Sequence, residues 1–115
     1  MGYSKPDPYY QPETFGLVPV GELDDPQGSW VFDLLVVWNH PESNVLYWHT
    51  DTGCPCPEPF DVFHELTDLT EVPYDDAEAL ADLESAIRNH CLYENDQIAR
   101  TRVNLLEDVR RITGS

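Results

Sequence analysis

The run from Ser29 to Asn39 constrains this chain more than any other part of it. Trp30, Phe32, Leu34, Val36 and Trp38 alternate with Val31, Asp33, Leu35, Val37 and Asn39. With the period of two of an extended strand, the first set shares one face and the second shares the other. Both faces are largely apolar, so this strand belongs in the middle of a sheet with both sides covered. Asp33 interrupts the second face. If buried, it must be hydrogen-bonded or paired, and Arg88 or Arg102 on the helices further along are the partners within reach. Otherwise it marks an exposed edge.

The neighbouring segments supply strands to pair with it. Phe15–Leu23 reads as a first strand, and Pro19 within it cannot donate to a ladder, which predicts an edge or bulged strand. Asp24-Asp-Pro-Gln-Gly-Ser29 and His40-Pro-Glu-Ser-Asn44 are turn clusters, and Val45–Thr50 is a third strand. The prediction is an N-terminal antiparallel three-stranded, or slightly larger, meander over about 15–50. A Pro/Tyr-rich tail at 1–14 precedes it; with Pro6, Pro8 and Pro12 it is expected to be flexible and non-helical. A proline- and cysteine-rich loop follows at 51–63, then a short helical turn within His64–Thr70. Pro73, Asp75 and Asp76 open a helix whose Leu80, Leu83, Ile87 and Cys91 form one stripe. After a break at Asn95-Asp96, a second helix places Ile98, Leu105, Val109 and Ile112 on one side and ends at Arg110, Arg111 and Gly114. The chain therefore reads as a single α+β domain over 15–115, with a helical hairpin at about 75–112 packed on the sheet.

Charge is distributed unevenly. Residues 1–76 hold fifteen acids and one lysine, whereas residues 77–115 hold seven acids and five arginines, for a net charge of −16. A surface of that sign steers cationic partners and repels phosphate. Direct nucleic-acid binding and attachment to an anionic membrane both need clustered basic residues, so neither is expected. Hydrophobic content of 41% and three tryptophans favour a folded domain despite the charge. The longest apolar run, Leu34–Trp38, is far too short to span a bilayer, and the first eight residues lack the apolar core of a secretory signal. Together with three cysteines, an odd number, this points to a reducing cytoplasm.

The stretch Phe32-Asp-Leu-Leu-Val-Val-Trp38, then Leu46-Tyr47, then Gly53-Cys-Pro-Cys-Pro-Glu-Pro-Phe60 resembles a family of small acidic proteins from phages of actinobacteria. That resemblance covers roughly residues 10–70. It implies a phage-encoded protein made in a bacterial host cytoplasm, and it brings no catalytic residues with it.

Candidate sites follow from residue chemistry. Cys54 and Cys56 with His64 offer soft thiolate and imidazole ligands for a zinc ion that would pin the proline loop. The Cys-x-Cys spacing is a weak zinc signature, and small buried cysteines are the alternative. His49, Asp51, His64 and Glu65 could serve acid–base chemistry. No nucleophile elbow or glycine-rich phosphate loop accompanies them, so no enzyme and no required cofactor is expected. The acids Glu22, Asp24, Asp25, Glu42, Asp51, Glu58, Asp61, Glu65 and Asp68 are spread through strands, loops and turns. Part of them serve as caps and turn formers. Gathered on one side of the sheet, they would form an anionic face that imitates the phosphate array of DNA. Trp48, Tyr47 and Trp30 are candidate apolar anchors for such a face, or else core residues. The leading expectation is an acidic binding protein that inhibits a basic host protein: a defence effector, a nucleoid protein or the transcription machinery. A phage assembly protein, with a homodimer through helix faces, and a small zinc-stabilised domain are the alternatives.

Overall fold

The computed structural model describes residues 11–24, 32–53, 66–90 and 96–114. Four strands, β1 (Val18–Asp24), β2 (Phe32–His40), β3 (Val45–Gly53) and β4 (Thr70–Pro73), form one antiparallel sheet in the order β1-β2-β3-β4. Two helices, α1 (Ala77–Asn89) and α2 (Asp96–Thr113), pack on it. The class is α+β, strands first and helices after, as the order of periodicities predicts.

The central strand is covered on both sides. Leu35 and Val37 face the helices and join Leu23, Leu46, Val72, Leu80, Leu83, Ile87, Leu105 and Val109 in the larger core. Leu34, Val36 and Trp38 point the other way, into a second cluster with Leu17, Tyr47 and Leu69. Two 3₁₀ turns, Pro12–Phe15 and Leu66–Asp68, contribute Phe15 and Leu66 to this second cluster. The helices therefore supply one lid and short, irregular segments supply the other.

The ends of the elements follow local chemistry. Pro19 leaves a ladder position empty, and the β1–β2 register shifts between Pro19 and Gly21, so the strand is both at an edge and bulged. A Cβ at Gly21 would stand 3.0 Å from Leu105 Cδ1, so the bulge carries a glycine where the Leu105 side chain of α2 packs against it. Asn44 takes φ 57° at the end of the β2–β3 turn, a conformation asparagine tolerates. Asp76 caps α1, accepting the Ala79 N–H at 3.0 Å. Gly114, at φ 77°, closes α2 by donating to the Arg110 carbonyl at 2.9 Å.

Four boundaries differ from the sequence reading. Pro12–Phe15 forms a 3₁₀ turn, because proline at the first helical position loses no hydrogen bond. β3 runs on through Gly53, which pairs with Phe32, since the backbone of the long β2 needs partners over its whole length. Thr70–Pro73 is a fourth strand, following the 3₁₀ turn Leu66–Asp68. Pro73 ends that strand instead of opening the helix; a residue before proline is held extended, and Val72 is fully buried against the helices.

Candidate functional site

The face of the sheet away from the helices carries the described acids of the strands in a definite register. Glu22 lies opposite Val36 and Asp24 opposite Leu34, so both stand on the outer face of β1 and both are exposed. Across β2, His49 occupies the position opposite Val36 and Asp51 the position opposite Leu34. The backbone positions of Asp24 and Asp51 thus flank one β2 residue at two strand spacings, about 10 Å. On the other edge strand Glu71 lies opposite Tyr47, which lies opposite Trp38. Glu42 sits exposed in the β2–β3 turn, at the opposite end of the strands from Asp24, and Asp68 is exposed in the second 3₁₀ turn. The acids frame the outer cluster along two edges and one end; they do not form a single compact patch.

Asp25, Glu58, Asp61, Glu65, Cys54, Cys56, His64, Cys91 and Trp30 lie outside the described residues, as do the side chains of Asp33 and Asp51. Among the described residues, no three His, Cys, Asp or Glu side chains are placed to hold a metal ion. Trp48 lies on the helix side, half-buried against the larger core, and its indole Nε1–H is buried with no hydrogen-bond partner. A buried donor without a partner is costly, on the order of 1–3 kcal/mol. Trp48→Phe removes that donor while keeping most of the ring, so its stability is expected to stay within about 1 kcal/mol of the parent in urea unfolding. A loss of several kcal/mol would show that the indole N–H is satisfied in solution.

Tyr47 links two polar neighbours on the outer face. Its hydroxyl donates to Glu71 Oε2 at 3.4 Å, and the His40 ring stands edge-on to it at 6.2 Å and 78°. Burial, then the Glu71 charge, then the hydrogen bond to Glu71 raise its phenol above the ordinary value, so it remains a donor at neutral pH. A cleft beside it is lined by Leu66, Thr67, Leu69 and Glu71. His40 Nδ1 and the Ser43 hydroxyl are in turn hydrogen-bonded at 2.7 Å, which fixes the turn. Glu71 lies between the helical turn expected within His64–Thr70 and the helix expected from Pro73, so the sequence reading gave it no strand and no place among the candidate contacts. The alternation of Leu69 and Glu71 with Thr70 and Val72 before Pro73 is the signal that places it on a strand.

The basic residues are disposed differently. All five arginines sit on the two helices. Arg88 and Arg110 flank Glu84 at 3.6 and 3.2 Å, and Arg111 pairs with Asp108. The bond to Glu84 is the main reason the Arg110 guanidinium is raised further. Arg102 is buried and donates to the Ile87 and Arg88 carbonyls. The described residues before Ala77 hold ten acids and no lysine or arginine.

A family model described as a domain of unknown function, DUF7574, matches residues 7–112, and the chain belongs to that family. No curated protein and no solved structure matches it. No helix among the described residues is long and apolar enough to cross a membrane.

Proposed function

We propose that this DUF7574 member is a non-enzymatic binding protein, encoded by a phage and acting in the host bacterial cytoplasm. It engages and inhibits a basic host protein, and does so by imitating the charge of DNA. One observation carries the reading. The two-layer fold turns a polarity along the chain into a polarity in space: the described residues of the sheet layer include ten acids and no lysine or arginine, while the arginines are confined to the helix layer. An anionic layer with low-dielectric walls raises the encounter rate with a basic protein and favours complementary charge pairs across the contact. Binding to DNA itself is disfavoured by the same charge.

Recovery on the tagged protein from host lysate at low salt, with displacement by duplex DNA, is the primary test. The double reversal Glu22→Lys and Asp24→Lys is expected to weaken the captured partner's affinity about 100-fold, with an unchanged circular-dichroism spectrum. Retention of the same partner by the reversed protein, or recovery of phage structural proteins alone, would overturn the proposal in favour of an assembly role.

A further inference from the structure

We infer that the cleft between Tyr47 and Glu71 on the outer face is a seat for an arginine side chain of the basic partner. This rests on the proposed acidic-binding role and names one of its contact points. Leu66 and Leu69 give the cleft apolar walls, and Glu71 gives it a carboxylate at the exposed edge strand. The Tyr47 hydroxyl donates to one Glu71 oxygen at a long 3.4 Å, leaving that carboxylate with most of its acceptor capacity. The contrast with the helix layer is what points outward. There, Glu84 and Asp108 have arginines of their own chain beside them. Among the described residues Glu71 has a phenol and no cation.

The chemistry selects arginine over lysine. The walls suit the three-carbon stem, and a guanidinium is planar, weakly hydrated and able to place two N–H groups on one carboxylate, whereas an ammonium is a compact, strongly hydrated point charge. The Tyr47 oxygen can accept a further N–H while its own O–H still donates to Glu71. Among the described residues β4 is the last strand of the sheet, and Thr70 and Glu71 on it are exposed.

A tetra-arginine peptide titrated into the full chain at 0.15 M salt tests this, with Glu71→Gln compared against Glu78→Gln. Both changes remove one charge; Glu78 lies exposed in the first turn of α1. Glu71→Gln is expected to weaken binding roughly tenfold beyond the effect of Glu78→Gln, and tetra-lysine is expected to bind more weakly than tetra-arginine. Amide shifts on titration should centre on Tyr47, Leu69 and Glu71. Equal losses for the two variants, with the peptide still bound, would overturn the seat and leave the acidic-binding reading standing. Absence of any peptide binding would overturn both.

Discussion

Trp38→Ala is expected to lose about 4 kcal/mol of folding stability, and to melt about 15 °C below the parent. Trp38 is 1% exposed and lies with Leu34, Val36, Tyr47, Leu17 and Leu69 in the cluster on the outer face. Truncation removes the transfer free energy of an indole and leaves a cavity that short 3₁₀ turns are poorly placed to fill. A domain of this length has about 6–15 kcal/mol in total, so the variant would be marginal. The size of the loss decides whether the outer cluster is a second core or a loosely covered surface. A loss under about 1.5 kcal/mol would place Trp38 at a site that water can reach, and would sink the two-core description. The cluster between the sheet and the helices is a separate test body. Leu83→Ala acts there. Because the two clusters lie on opposite faces of the sheet, the losses for Trp38→Ala and Leu83→Ala should add within about 0.5 kcal/mol.

The burial of Trp38 was legible before any coordinates, because the period of two in Ser29–Asn39 makes both faces apolar and demands two covers. The identity of the outer cover was not. Phe15, Leu17, Leu66 and Leu69 belong to segments too short and irregular to carry a periodic signal, and their common location comes from long-range packing. The helix stripe Leu80, Leu83 and Ile87 was legible for the opposite reason, since a thirteen-residue helix repeats its pattern several times. The sequence allows a meander slightly larger than three strands but does not locate the fourth, because four residues, two of them polar or acidic and one proline, look like a turn until the edge of β3 is there to pair with. For the candidate site, the excess of acids could be counted, but which of them share a face depended on register. The bulge after Pro19 sets that register for Glu22 and Asp24, and the β3–β4 pairing sets it for Glu71.

Arg102→Ala is expected to cost about 3 kcal/mol, the largest effect of any charged residue described here. The end of α1 explains why. His90 at the C-cap is right-handed, φ −64° and ψ −54°, and neither it nor the next residue in sequence, Cys91, is the glycine that commonly ends a helix and helps satisfy its last carbonyls. Arg102, arriving from α2, does that instead: one guanidinium nitrogen donates to the Ile87 carbonyl at 2.5 Å and to the Arg88 carbonyl at 2.9 Å. A cation also suits the negative end of the helix dipole. Truncation leaves two carbonyls short of donors near a core residue, Ile87, that is fully buried, and also removes the stem packed between the helices. Arg102→Met restores the stem without donors and should recover only the packing share. Arg102→Lys restores charge with a different donor geometry and should recover more. The exposed Arg110→Ala, which loses a surface ion pair with Glu84, is the comparison, and its effect should be near zero in 0.15 M salt. A loss for Arg102→Ala no greater than for Arg110→Ala would show that water caps α1. A large loss would tie fold to function through charge: one arginine is spent in the interior and three stand beside acids of their own layer, so little basic surface remains to offset the acids of the sheet.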